Sequence, residues 1–273
     1  MHVGSRTTGD GRRTTDNAPP RLQSLRRVVI RTLWFYLVLV VSSVVHSVGV
    51  IGAALLGVKR RAGGGGVYDW GTNDWSRQLL RAAGTPVVVE GIEQIPSGPV
   101  VYASNHSSMF DIWALAATLP GSVRMVAKQE LAKVPLVGRA MIAAGHVTID
   151  RAHPARALEA YHRAAEVIRS GVSAVVFPEG TRSRTGQLLP FKNAPFGLAI
   201  AAQVPVVPLY VRDTFEIMPK GRFVLRPRPI RIVIGDPIAT AGMTVDDRQA
   251  LRDRVHAAIV ALKQRVDAEG VAR

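Results

Sequence analysis

The chain has 273 residues, 47 % of them hydrophobic, and its 35 lysines and arginines outnumber 20 acids to give a net charge of +15. That charge favours an anionic partner, whether nucleic acid, anionic lipid headgroups or a phosphorylated substrate, and does not choose among them. The absence of cysteine excludes disulfide scaffolds, thiolate nucleophiles and Cys-ligated zinc.

Residues 1–20 are rich in Gly, Thr, Arg, Asp and Pro without apolar periodicity, which predicts a disordered basic tail. From Thr32 to Val58 there are 27 residues without a lysine, arginine or acid. As a straight helix that run would measure about 40 Å, longer than the ~30 Å hydrocarbon core of a bilayer, and it exceeds the apolar part of a signal peptide. Residues 21–62 are therefore expected to form a membrane-associated helix or helical hairpin. Arg26, Arg27 and Arg31 precede the run and Lys59, Arg60 and Arg61 follow it, so flanking charge cannot orient a single span. The cluster Ser42, Ser43, His46, Ser47, Gly49 and Gly52 favours a hairpin or monotopic insertion, with both basic flanks on the anionic cytoplasmic face of the cell membrane. His46 reads as a helix-packing or interfacial residue.

The stretch A-G-G-G-G, Ala62 to Gly66, lacks a following G-K-[ST] and reads as a flexible joint, not a phosphate loop. Residues 67–273 then form one domain of about 200 residues, enough to bury an α/β core. Asp74 to Gly84 has helical apolar spacing and ends in glycine, with Trp70 and Trp75 suited to the headgroup level or to core packing. Apolar runs at P-V-V-V-E, G-P-V-V-Y-A-S, V-R-M-V-A, G-H-V-T-I, V-S-A-V-V-F and V-P-V-V-P-L-Y-V alternate with helical segments. The expected fold is α/β, a central, largely parallel or mixed sheet covered by helices. A last strand, I-R-I-V-I-G, precedes a helix with Leu251, Val255, Ile259, Leu262 and Val266 on one face.

The stretch N-H-S-S-M-F-D, Asn105 to Asp111, follows a strand directly, and open α/β sheets place ligand sites outside the carboxyl ends of their strands. Five helical residues turn roughly 500° and leave two side chains about 140° apart, so His106 and Asp111 meet only if the backbone turns between them. Asp111 also fits a capping box with Ser108 as N-cap. In the functional reading its carboxylate accepts a hydrogen bond from one ring nitrogen of His106 and leaves the other to take a proton from a hydroxyl. Helix capping does not prevent this. A second strand-to-turn block, A-V-V-F-P-E-G-T-R-S-R, offers Glu179, Gly180, Thr181, Arg182, Ser183 and Arg184. Arginine forks suit phosphate oxygens, and glycine admits close backbone approach. Arg184 alone also fits a solvated surface residue.

These blocks resemble the N-H-x-x-x-x-D and F-P-E-G-T-R-S motifs of the glycerolipid acyltransferases, specifically the 1-acyl-sn-glycerol-3-phosphate acyltransferases. G-H-V-T-I-D-R, Gly145 to Arg151, resembles that family's G-x-x-x-x-x-R block, and V-P-V-V-P, Val204 to Pro208, its proline-containing strand. The resemblance covers about residues 70 to 240, in order and spacing, and implies that 67–273 is a catalytic domain of that fold. It implies His106 as general base, Asp111 as its orienting partner, and Glu179, Gly180, Thr181 and Arg182 at the acceptor phosphate. Arg151 is implied as a second phosphate contact and Lys128 as a weaker one, for which a solvated lysine is the competing reading. Where the family commonly shows F-K-x-G-A-F, this chain has F-K-N-A-P-F; Ala194 and Pro195 bear on loop shape and acceptor choice, not on the base.

The resemblance implies direct acyl transfer from acyl-CoA or acyl-carrier protein to the sn-2 hydroxyl of lysophosphatidic acid, with no cofactor beyond the co-substrate and no metal. Another lysophospholipid, glycerol 3-phosphate or an amino-acid lipid remain alternative acceptors. No G-x-S-x-G elbow supports a serine hydrolase and no H-E-x-x-H a zinc site; His153 and His162 read as surface residues. The rival class is a non-enzymatic basic protein binding a membrane surface or nucleic acid through Arg222, Arg226, Arg228 and Arg231. Aromatic content of 6 % and the lack of a nucleic-acid module leave anionic lipid as the simpler partner and no nucleic acid. The oligomeric state is not legible.

Overall fold

The computed structural model describes residues 20–61, 64–150 and 154–271. The expected tail over 1–19, together with Arg151 and His153, lies outside them, as does the side chain of His162. In chain order the elements are α1 (Pro20–Leu55), α2 (Val67–Ala83), β1 (Val87–Glu90), β2 (Val101–Ser104), α3 (Met109–Thr118), β3 (Val123–Lys128), α4 (Val137–Ala144), β4 (Val147–Ile149), α5 (Pro154–Arg169), β5 (Ser173–Val176), α6 (Ala194–Ala202), β6 (Val206–Arg212), α7 (Thr214–Ile217), β7 (Ile230–Ile234) and α8 (Arg248–Val271).

The seven strands form one sheet in the order β1-β7-β6-β2-β5-β3-β4. Every neighbouring pair is parallel except β6 and β7, so the sheet is mixed and mostly parallel, as expected. All four residues of β2 and of β5 are buried, the continuous apolar signature of strands covered on both faces. One cover contains α1, α2 and α3, with Leu79, Phe110 and Leu115 inaccessible. The other contains α5, α6 and α8, and the α8 stripe Leu251, Val255, Ile259, Leu262 and Val266 is buried as its spacing predicted. Parallel pairing has a direct consequence for function, because it puts the carboxyl ends of β2, β5, β3 and β4 on the same edge.

The hairpin expected within the apolar run is not there: α1 is continuous through Ser42 to Gly52. The reversal comes after Leu55, and α2 returns along α1. Contacts climb one helix as they descend the other. Val58 O accepts from Tyr68 Oη at 2.6 Å, Ser42 Oγ donates to Gln78 Oε1 at 3.0 Å, and Trp75 Nε1 donates to Ser43 Oγ at 3.2 Å. His46 Nδ1 lies 2.8 Å from Ser42 O and Nε2 3.3 Å from Asp74 Oδ2, its ring stacked on Trp70 with centroids 4.3 Å apart. At Gly71 a Cβ would stand 2.3 Å from Val50 Cγ2, so only glycine permits this approach. The polar cluster therefore serves packing between helices, which agrees with the packing role expected of His46, and it is not a bend.

The inner face of α1 mixes apolar and polar residues, and its outer face is apolar. Phe35, Ser42, His46, Ser47 and Val50 face the protein, while Leu33, Leu37, Val40, Val41 and Val44 face outward. Leu33 is 65 % and Val40 62 % exposed, and only 11 % of the apolar window is buried. This leaves a long apolar surface on the outer side of α1.

Candidate active site

The backbone leaves β2 at Ser104 and enters α3 at Met109, and the intervening turn brings His106 onto Asp111. His106 Nδ1 lies 2.8 Å from Asp111 Oδ2. The same oxygen accepts backbone N–H bonds from Ser107 at 2.7 Å and Ser108 at 2.8 Å, while Thr214 Oγ1 donates to Oδ1. Ser108 is the N-cap and Asp111 closes the capping box. Both readings of Asp111 thus hold at once, since the carboxylate that caps α3 also holds the imidazole.

A carboxylate aimed at Nδ1 accepts only, so Nδ1 carries the proton of the neutral ring and the lone pair lies on Nε2. Among the described residues Nε2 has no hydrogen-bond partner. The His106 side chain is 12 % exposed and that of Asp111 is sealed at 0 %. Phe177 stacks on the ring, with centroids 4.0 Å apart and planes at 19°, and this fixes the imidazole plane.

The turn after β5 is laced to the His106 peptide on both sides. His106 N–H donates to Glu179 Oε1 at 2.7 Å, and Ser183 N–H donates to His106 O at 2.8 Å. Glu179 Oε2 also accepts from Leu189 N–H at 3.2 Å. The two sequence blocks therefore act as one unit because β2 and β5 are adjacent strands.

Glu179, expected at the acceptor phosphate, stands in the structure as a buried clasp on the backbone. It is 3 % exposed, and burial pushes its carboxyl up to about 7 against the downward pull of its two backbone hydrogen bonds, with the nearby Asp111 charge adding to the rise. Both oxygens of this buried carboxyl are thus committed to backbone donors. Gly180 adopts φ 72, and a Cβ there would lie 3.0 Å from Lys192 Cε. Thr181 is exposed and accepts from Lys220 Nζ at 2.9 Å. Arg182 is half-buried without a carboxylate partner among the described residues, and Arg184 is exposed.

Lys128 is not brought to this site. It pairs with Glu130 at 2.8 Å, both side chains more than half exposed, and β3 stands two strands from β2, about 10 Å across the sheet. Arg151 lies outside the described residues. Ala194 and Pro195 open α6, where proline in the first turn needs no donor, so this departure leaves the His106 turn intact.

Sequence reasoning missed four contributors. Thr214 reaches Asp111 from after β6, and Lys220 reaches Thr181. Asn105 bridges strands, donating from Nδ2 to Val211 O at 2.9 Å and accepting from Val211 N–H at 2.8 Å. Phe177 was legible as the end of a strand. Asn105 and Phe177 each carried a signal as the first residue of a motif block, whereas Thr214 and Lys220 carried none.

A family model described as Acyltransferase matches residues 86–212. The human 1-acyl-sn-glycerol-3-phosphate acyltransferase alpha is 35 % identical over 191 residues, covering 68 % of this chain and 67 % of that protein. The chain belongs to the 1-acyl-sn-glycerol-3-phosphate acyltransferase family. A family member from Cocos nucifera is 33 % identical over 185 residues, 67 % of this chain, and the match spans 60 % of that relative's length. The crystal structure of the 1-acyl-sn-glycerophosphate (LPA) acyltransferase PlsC from Thermotoga maritima superposes with a TM-score of 0.71 at 28 % identity, covering 87 % of this chain and 95 % of that one. The acyltransferase-like α/β fold and the two motif turns expected from sequence thus sit within a family whose members carry this name.

Proposed function

We propose that this acyltransferase-family chain moves an acyl group from an acyl thioester to the sn-2 hydroxyl of lysophosphatidic acid, giving phosphatidic acid. The observation that supports it is the His106 imidazole, held at Nδ1 by Asp111 with Nε2 free, beside a turn carrying an uncommitted half-buried Arg182. In the proposed step Nε2 takes the hydroxyl proton as the oxygen attacks the thioester carbonyl. The C–O ester bond forms, the C–S bond breaks, and the proton passes to the departing thiolate. Asp111 stabilises the imidazolium formed meanwhile, and general-base assistance of this kind contributes about 10² to 10⁴ in rate. Arg182 is assigned to the acceptor phosphate, and Lys220 stands one residue away through Thr181. The acyl chain is assigned to the apolar cleft of about 160 Å3 lined by Met109, Ile112, Trp113, Trp75 and Val50, which opens from the first turn of α3.

The domain grips the chain from Thr32 in α1, which accepts from Leu225 N–H, to Arg60 just beyond the helix, which donates to Ala143 O at 2.9 Å. A helix held this way keeps its outer apolar face free for one leaflet, which supports monotopic immersion over a span. Anionic lipid on the cytoplasmic face suits the +15 charge. A membrane-held site also avoids moving a lysolipid chain into water, at about 0.8 kcal/mol per methylene. The test is thiol release by the purified full chain against lysophosphatidic acid, other lysophospholipids and glycerol 3-phosphate, with acyl-CoA and acyl-carrier protein as donors. Turnover by His106→Ala at the wild-type rate overturns the mechanism, and preference for another acceptor overturns the substrate.

A further inference from the structure

The segment between α7 and β7, residues 219–229, reads P-K-G-R-F-V-L-R-P-R-P and holds Lys220, Arg222, Arg226 and Arg228 without an acid. Its tip is turned outward: Phe223 is 73 % and Val224 53 % exposed, while the next residue, Leu225, is fully buried. The tip is also tied to α1. Tyr36 Oη donates to Phe223 O at 3.1 Å, and Leu225 N–H donates to Thr32 Oγ1 at 3.2 Å. Leu33 and Leu37, on the outward face of α1, are the sequence neighbours of these contacts and are both more than half exposed.

The cations differ in how they are used. Arg231, just beyond the segment, is occupied by Glu90, at 2.5 and 2.8 Å, and by Glu269. Arg228 lies 3.9 Å from Asp213. Arg222 and Arg226 are exposed and have no carboxylate partner among the described residues.

We infer that residues 219–229 are a second membrane contact, placing Phe223 and Val224 in an anionic bilayer beside α1 with Arg222 and Arg226 at the lipid phosphates. Apolar tips below a ring of guanidiniums are the composition of an interfacial anchor, because the side chains bury their carbon and keep their charge at the headgroup level. A nucleic acid would use the cations but would leave the apolar surface shared with α1 uncovered. The inference rests on the reading that α1 lies in a bilayer.

The consequence reaches the chemistry. Upstream of the tip, Met218 O accepts from Ser108 Oγ at 2.7 Å, Thr214 Oγ1 donates to Asp111, and Lys220 donates to Thr181. One short segment thus joins the membrane contact to both motif turns, and the depth of its tip sets the height of His106 above the lipid.

The cysteine-free sequence allows a direct test. Single cysteines, Val224→Cys in the tip, Val41→Cys on the outer face of α1 and Ala241→Cys on the opposite cover, are labelled with an environment-sensitive fluorophore. The full chain is then bound to vesicles of equal phosphatidylglycerol and phosphatidylcholine. Probes at 224 and 41 are expected to shift blue and respond to lipid-borne quenchers, and the probe at 241 to respond to aqueous iodide. A tip probe that stays iodide-accessible while the probe at 41 is lipid-buried overturns the inference and leaves the reading of α1 standing, as does a tip probe that responds to duplex DNA instead. Both probes aqueous overturn both. As a second arm, Phe223→Asp with Val224→Asp is expected to slow acylation of vesicle-borne lysophosphatidic acid by about tenfold or more, with a short-chain, water-soluble acceptor unaffected. Equal loss on both acceptors counts against a membrane role.

Discussion

Asp111→Asn isolates the charge of the carboxylate from its shape. The two backbone N–H groups of Ser107 and Ser108 that converge on Oδ2 require an acceptor there, so the amide oxygen takes that place and still receives the Nδ1 proton of His106. The amide nitrogen then faces Thr214 Oγ1, which can accept and turn its own proton toward Ser107 Oγ, 2.9 Å away. Tautomer and ring position are preserved, and what disappears is attraction between the carboxylate and the imidazolium formed in the transition state. With Nδ1 and Oδ2 at 2.8 Å, charge centres about 4 Å apart and an effective dielectric of ~20 give about 4 kcal/mol. The expected fall in turnover is about 10³. The assay is thioester cleavage at saturating acceptor and donor in mixed micelles, with thermal melting to establish that the variant is folded. A folded Asp111→Asn enzyme within tenfold of wild type would refute an electrostatic role for Asp111 and leave it as a helix cap.

Glu179→Gln tests the buried clasp. In the wild type the carboxyl titrates at about 7 in the folded protein against an ordinary 4.5, so between those values the native state holds a proton that the unfolded chain releases. Its contribution is complete below pH 4.5 and is lost as pH rises through 7, up to about 3 kcal/mol. The wild-type melting temperature should therefore fall between pH 5 and 8 by roughly 5 to 10 °C relative to the glutamine variant, and parallel pH profiles would contradict this. Arg182→Ala should raise KM for the phosphate-bearing acceptor roughly 10- to 100-fold by removing charge-assisted hydrogen bonds, with kcat changing less; a pure kcat loss would assign Arg182 to the reacting carbonyl. Asn105→Ala leaves the Val211 N–H and C=O without their partners and should cost about 2 to 4 kcal/mol, measured as a lower denaturant midpoint, with wild-type stability counting against the bridge. Gly180→Ala should destabilise by about 1 kcal/mol for φ 72 and displace Lys192, visible as a changed acceptor KM.

Much of the site was legible because its chemistry is local. His106 and Asp111 lie within one turn, and a strand ending in N-H-S-S-M-F-D needs only a change of direction to bring them together. The alternation of apolar runs indicated the α/β fold, and the α8 stripe follows from helical spacing alone. Thr214, by contrast, is 103 residues from Asp111, and Lys220 is 39 from Thr181; no local pattern marks either. The surroundings of Glu179 were hidden for a related reason. A glutamate in a turn of polar residues reads as a ligand-facing group, and only the adjacency of β2 and β5 shows that its carboxyl is used by the His106 and Leu189 peptides. The composition of the apolar run led to the expectation of a membrane segment, and the polar cluster inside it to that of a bend, whereas α1 runs straight through the cluster and α2 covers it.

By itself, then, the sequence determined which groups could act: an imidazole with its carboxylate, an arginine turn, a membrane-length apolar helix and a strongly basic surface. These follow from residue type and short-range spacing. Tertiary structure alone decided that β2 and β5 are neighbours, that Glu179 holds the His106 peptide, that α1 docks with Ser42, His46 and Ser47 inward, and that Met218 and Lys220 reach the two motif turns. Strand order and helix docking depend on burial between residues far apart in the chain, and a linear pattern carries no record of which distant surfaces will meet.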